Sequence, residues 1–269
     1  MYKGFLLDSR FDVGVFEELS GQGDISREIF ESGRERTDKI ARDLSESVRS
    51  LKFGDDRVID GDLLEAKWFP QLGFDVFISH SHADREMAVA LAGGLWKFFG
   101  LKAFVDSCVW GCRDKLIQKM REQSGNLSLS RPCINYDDEN AIITHADIML
   151  NNSLLRMIDR CECMMFLETG NSIERKDSQA DTFSAWLYSE LTIAKFIRKT
   201  EPDRPRRKML KESALQSKEN FSLIIKHKAD TGTLSSISIG QFLRWGMEVK
   251  RRGLTGRMTL DSLYDIIGC

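Results

Sequence analysis

Trp186 and Glu190 lie four residues apart in Ser184-Ala185-Trp186-Leu187-Tyr188-Ser189-Glu190-Leu191, where apolar positions recur in threes and fours. On a helix that spacing puts both side chains on one face. A carboxylate beside an indole can accept hydrogen bonds from a ribose diol while the ring shields the site. A fixed negative charge there stabilises the oxocarbenium-like cation formed when a glycosidic bond breaks, work that carboxylates do in glycoside hydrolysis. The bland alternative is a Trp in the core and a solvated Glu. Three other polar segments follow apolar runs. Ser79, His80, Ser81 and His82 come after Phe74-Asp75-Val76-Phe77-Ile78, Asp106 and Ser107 after Leu101-Lys102-Ala103-Phe104-Val105, and Glu168 and Thr169 after Cys163-Met164-Met165-Phe166-Leu167. Ser79, His80, Ser81 and His82 are expected to contact phosphate or ribose, against the reading of a polar loop that caps the helix starting at Asp84. Trp110, in Cys108-Val109-Trp110-Gly111-Cys112, is either a stacking platform for a ring or a subunit contact.

The elements that must hold these residues are legible from texture. Residues 74–79, 101–106 and 163–167 read as short buried strands. Residues 84–99 form an amphipathic helix ending at Gly100. Strand, helix and strand within about 35 residues make a βαβ unit, whose crossover is right-handed. Helices are also predicted over 113–122, 141–160, 182–198, 239–251 and 259–267. A fourth strand is predicted at Phe221-Ser222-Leu223-Ile224-Ile225. Residues 171–181 read as polar loop, 198–218 as a basic exposed connection, and 124–140 as a polar insertion. Alternation of strands and helices predicts an α/β fold with a parallel sheet covered on both faces, and ligands in such sheets bind beyond the carboxyl ends of the strands. Residues 1–72 read as a helical extension. Within it Ile40, Leu44, Val48 and Leu51 form a stripe on a long amphipathic helix over 25–51, to be buried on the main domain or on another chain. Gly93 and Gly94 fall inside a helix and suggest close packing.

Composition bounds the function. Of 269 residues, 42% are hydrophobic and 30% charged, enough for a packed core. A net charge of −2 argues against a nucleic-acid-binding protein. No run approaches the ~20 apolar residues of a membrane span. The N-terminal segment does not read as a signal peptide, so a cytoplasmic location is expected. The six cysteines, Cys108, Cys112, Cys133, Cys161, Cys163 and Cys269, lack framework or zinc-finger spacing and are expected to be free thiols, with no metal site.

These motifs resemble those of a known family. Phe74 to Ser81 is similar to the first strand of Toll/interleukin-1 receptor (TIR) domains, which enters a Ser-rich turn. Phe104-Val105-Asp106 resembles their second strand, and Ser184 to Leu191 their Ser-x-Trp pattern followed by apolar residues and Glu-Leu. The resemblance implies a flavodoxin-like doubly wound sheet over 73–269, with an insertion at 124–140 and the extension 1–72 outside it. It implies an enzyme that cleaves the nicotinamide–ribose bond of NAD, with Glu190 as the catalytic carboxylate, no separate cofactor, and Ser79, His80, Ser81, Asp106, Ser107, Trp110 and Trp186 around the substrate. ADP-ribose would pass to water, to its own adenine or to another acceptor. The chain is similar in this to bacterial anti-phage TIR proteins, including those of Thoeris systems, which make a signalling nucleotide after a phage-derived trigger. Self-association through the TIR domain or the N-terminal helix is also implied. Two alternatives stand beside it: a non-catalytic scaffold acting by TIR–TIR contact, which commonly lacks the glutamate, and a nucleoside deoxyribosyltransferase-like enzyme, which shares the chemistry.

Overall fold

The computed structural model describes residues 1–8, 10–21, 23–49, 60–68, 72–109, 113–123, 136–176, 179–204 and 227–268. Strand β1 (Lys3–Leu7) is followed by helices α1 (Val15–Ser20), α2 (Ser26–Arg49) and α3 (Gly61–Trp68). Strand β2 (Val76–Ser79) passes through a 3₁₀ turn (His82–Asp84) into α4 (Arg85–Phe99). Gly100 closes α4 in the left-handed region at φ 67°, where a side chain would be strained, and β3 (Ala103–Val105) follows. Helices α5 (Asp106–Val109), α6 (Arg113–Gln123) and α7 (Tyr136–Arg160) lead to β4 (Cys163–Leu167). Strands β5 (Glu174–Lys176) and β6 (Gln179–Thr182) precede α8 (Ala185–Phe196). The chain ends with β7 (His227–Lys228), β8 (Ser235–Ile237), α9 (Ile239–Arg252) and α10 (Met258–Ile267).

The main sheet is five-stranded and parallel, in the order β3-β2-β4-β1-β8. Alternation along each strand sends side chains to two separate cores. Leu6, Phe77, Phe104, Met164 and Phe166 face α3, α6, α7 and α8. Phe5, Leu7, Val76, Ile78, Met165 and Ile237 face α1, α2, α4, α9 and α10. Burial on both faces explains why β4 reads as an unbroken apolar run rather than an alternating one. Counted from β2, the spatial order is 2-1-3-4-5, compatible with a flavodoxin-like arrangement, and β1 fills the fourth place.

That last point corrects the domain boundary. The extension expected over 1–72 does not stand outside the α/β unit: β1 pairs with β4 on one side and β8 on the other. Phe5, Leu7, Phe16 and Ile29 are each fully buried in the core. The strand expected at Phe221–Ile225 lies outside the described residues, as do Leu51 and the side chains of Leu44 and Val48. The first half of α2 docks on α4 through Ile29 and Gly33. A Cβ added at Gly93 would run into the carbonyl oxygen of Ile29, and one at Gly33 into that of Val89, so close helix packing is what these glycines permit.

Other differences are local. Tyr136 to Asn140, expected within the insertion, forms the first turn of α7, where Asp137, Asp138 and Glu139 meet the positive end of the helix dipole. The rest of that insertion lies outside the described residues. The expected polar loop 171–181 contains β5 and β6, which join β7 in a small antiparallel sheet. Arg204, expected in an exposed connection, is bound to both carboxylate oxygens of Glu162 at 2.6 and 2.8 Å and to Asp261 at 2.6 Å. Cys161 and Cys163 are free and buried, and burial pushes the Cys161 thiol up to about 12. No described helix is long and apolar enough to cross a membrane.

Two outcomes follow from this packing. A chain beginning at residue 73 loses an inner strand and is expected to show no cooperative unfolding transition; a wild-type-like melt would refute the placement of β1. Gly93→Ala is expected to destabilise by about 1–3 kcal/mol in denaturant titrations, the usual cost of overpacking.

Candidate active site

Each of the three elements that builds the site does so for a local reason. β2 ends at Ser79, fully buried, because the next residues turn away in a 3₁₀ turn closed by the Asp84 amide donating to the Ser81 carbonyl at 2.8 Å. β3 gives way at Asp106 to the short helix α5, and the Asp106 carboxylate accepts from the Ser107 amide at 2.6 Å. Helix α8 starts at Ser184, whose hydroxyl accepts from the Leu187 amide at 3.2 Å. Leu187, Leu191 and Ala194 bury its inner face, and Glu190, on the same side, is only 1% exposed.

A buried carboxyl must find partners or stay neutral. Glu190 does both. The Ser79 hydroxyl donates to Glu190 Oε2, and Asp106 lies within hydrogen-bond reach of the same carboxyl. Burial pushes the Glu190 proton affinity well above the usual carboxylate range, and the nearby Asp106 charge pushes it further, against the Ser79 hydrogen bond. Asp106 is also raised by burial, but His80, the Ser107 amide, His82 and its hydrogen bond with Glu190 oppose the rise. Its side chain keeps 26% of its surface open. Both carboxyls are thus pushed toward the protonated form, Glu190 the more strongly, so the pair is arranged to hold one proton between them. Such pairs, sharing one proton, are how proteins hold a charge of −1 where two carboxylates meet.

His80 completes the group. Its Nδ1 faces the Ile78 carbonyl at 3.2 Å and the Asp106 carboxylate at 3.6 Å, and its Nε2 meets the Ser107 hydroxyl at 2.7 Å. All of these residues except buried Ser79 line one cleft of about 820 Å³ at the carboxyl ends of β2 and β3. Its size is that of a small-molecule pocket. Trp186, 37% exposed, forms one wall. Asp114, Asp147 and Asn151 of α6 and α7 also line the cleft, and the Ser189 hydroxyl ties α8 to α7 by donating to Asn151 Oδ1 at 2.6 Å.

Six of the eight residues expected at the site, Ser79, His80, Asp106, Ser107, Trp186 and Glu190, are brought together. Ser81 is not on the cleft wall; its carbonyl accepts in the turn and its side chain makes no cap. Trp110 lies outside the described residues. Asp84 makes no side-chain cap on α4, and instead accepts from Thr169 and, at 2.8 Å, from Asn171 in the loop after β4. His82, read from sequence with its neighbours, is on the wall; missed were the acidic and amide groups of α6 and α7. Asp147, Asn151 and Leu154 follow helical spacing, but that spacing alone cannot say which face meets a cleft. Among the described residues no cluster of side chains has metal-binding geometry.

The raised Glu190 proton affinity has a consequence for stability. The folded state holds a proton that the unfolded chain releases above its ordinary value of 4.5. Stability is thus full below that pH and falls as pH rises toward the folded value. Glu190→Gln keeps a donor toward Asp106 and an acceptor for Ser79 but never ionises. It is expected to melt higher than wild type at neutral pH and equally near pH 4, each tenfold change in proton affinity being about 1.4 kcal/mol. A variant less stable at neutral pH would refute the shared proton. No protein-family model, curated protein or solved structure matches this chain, so its function rests on these side chains.

Proposed function

We propose that this chain is an N-glycosidase of the TIR type that breaks the nicotinamide–ribose bond of NAD. The observation that carries the reading is the Ser79–Glu190–Asp106 contact at the carboxyl ends of a parallel sheet, opening on a cleft with an indole wall. The sheet order supports a flavodoxin-like, TIR-like arrangement in which the fourth strand comes from the N-terminal segment.

The chemistry suits the charge. The described cleft wall carries Asp106, Asp114, Asp147 and Glu190 and no Lys or Arg. Such a wall favours the cationic nicotinamide end of NAD and keeps the diphosphate toward the mouth. Trp186 offers a face to the pyridinium ring. The ionised half of the carboxyl pair accepts from the ribose hydroxyls. As the bond to C1′ lengthens, positive charge moves from the ring to the ribose, beside that fixed anion. Nicotinamide departs neutral with the bonding electron pair, so it needs no acid to protonate it. One negative charge shared by two carboxyls is then sufficient.

A purely adhesive module gains nothing from a buried carboxyl pair, which costs stability and is characteristic of functional sites. By the resemblance already drawn, the ADP-ribose product or a nucleotide made from it would act as a signal in bacterial anti-phage defence, in the cytoplasm, after a phage-derived trigger.

Purified protein at high concentration is expected to release nicotinamide from NAD, with ADP-ribose-derived products resolved by mass spectrometry. Glu190→Gln confines the pair's charge to Asp106 and bars Glu190 from taking it up as the cation forms, and it should lower that rate by about 10³-fold while staying folded. An unchanged rate would remove Glu190 from its role. Base exchange on deoxynucleosides with NAD left intact would instead identify a deoxyribosyltransferase.

A further inference from the structure

The Glu190–Asp106 pair accounts for bond breaking but not for the second half of the reaction, in which an acceptor must lose a proton. The His80–Ser107 contact is unused by the first half and faces the same cleft. The Ile78 carbonyl can only accept, so the His80 nitrogen facing it at 3.2 Å, Nδ1, carries a hydrogen. Nε2 of the neutral ring is then a lone pair, and the Ser107 hydroxyl 2.7 Å away donates to it. The Asp106 carboxylate, 3.6 Å from Nδ1, offsets the charge that His80 gains when it takes up a proton. Carboxylate, imidazole and hydroxyl are in the order that activates an oxygen nucleophile elsewhere.

We propose that His80, acting through Ser107, is the proton acceptor for the hydroxyl that captures the ribose. This deepens the N-glycosidase reading and rests on it. Once nicotinamide has left with its electron pair, the acceptor oxygen, from water or an alcohol, forms the bond to C1′. Its O–H bond breaks, and the proton passes to Ser107 Oγ as the Ser107 proton moves to His80 Nε2. His80 then returns that proton to solvent. No oxidation or reduction occurs.

Acceptors without a proton separate the two halves. A free pyridine base such as 3-acetylpyridine attacks C1′ through its nitrogen lone pair and has nothing to hand to His80. The experiment measures, on the full chain, ADP-ribose formation from NAD and exchange of 3-acetylpyridine into NAD. His80→Asn retains a donor to the Ile78 carbonyl, and His80→Gln places an amide near Ser107 that cannot take a proton. Both are expected to lower hydrolysis by about 10²-fold, the usual contribution of a positioned base. The loss in exchange should be at least about ten times smaller. Ser107→Ala, where a water can stand in for the hydroxyl, should lower the hydrolysis-to-exchange ratio in the same direction by less. Equal losses in both reactions, or none in either, would overturn the assignment for variants that stay folded, and Ser107→Ala decides the matter if the His80 variants do not fold. Wild-type protein inactive in both reactions would overturn the N-glycosidase reading itself.

Discussion

A carboxyl group sealed from water at the end of a strand needs a proton, a partner or both, and the contact among Ser79, Glu190 and Asp106 supplies them. The three residues come from separate elements: the last position of β2, the first of α5 and the inner face of α8. None can be held in place by its own element alone. β2 must be flanked by β3 so that Asp106 emerges beside Ser79, and α8 must lie across the same face so that Glu190 points down at both. The pair is therefore a constraint on the whole sheet, and a change in register by one residue would turn Ser79 to the opposite face.

The two ends of the sheet treat charge differently. At the amino ends, Arg204 binds Glu162 and Asp261, and the Tyr264 hydroxyl also donates to Glu162 at 2.9 Å. Arg257 binds Asp75 at 2.6 Å. Each of these acids has an arginine partner. In the cleft at the carboxyl ends of β2 and β3 the acids meet one another and two histidines, with no arginine or lysine in the described wall, whereas beyond β1 and β4 Arg10 binds Asp8 and Arg175 binds Glu168. That imbalance costs stability, and a cost of this kind is characteristic of functional sites.

Local pattern made much of this legible. β4 was readable because five apolar residues in a row leave no other assignment, and α4 because its stripe ends at a glycine in the left-handed region. The helix carrying Trp186 and Glu190 was readable from spacing. What sequence did not carry was long-range pairing. β1 is five residues with a glycine at its second position, whose missing side chain makes room for Leu234, so it reads as too short to matter. Only its neighbours β4 and β8, more than 150 and 220 residues along, show it to be an inner strand. Likewise Asp106 and Glu190 were each singled out, but no spacing reveals that two residues so far apart share a proton. Strands β5 and β6 lie in a polar stretch with no apolar run to announce them, although Ala180, Asp181 and Thr182 of β6 are buried.

The shared proton is the feature that joins fold to chemistry, and it can be observed directly. Carboxyl-carbon NMR of protein labelled at glutamate, titrated with and without a carbocyclic NAD analogue whose glycosidic bond cannot break, reads the Glu190 signal alone once Glu190→Gln identifies it. The expected result is a carboxyl that remains protonated at neutral pH and shifts when the analogue binds. A Glu190 signal that titrates with the ordinary surface glutamates and ignores the analogue would contradict the assignment of this pair as the reacting centre.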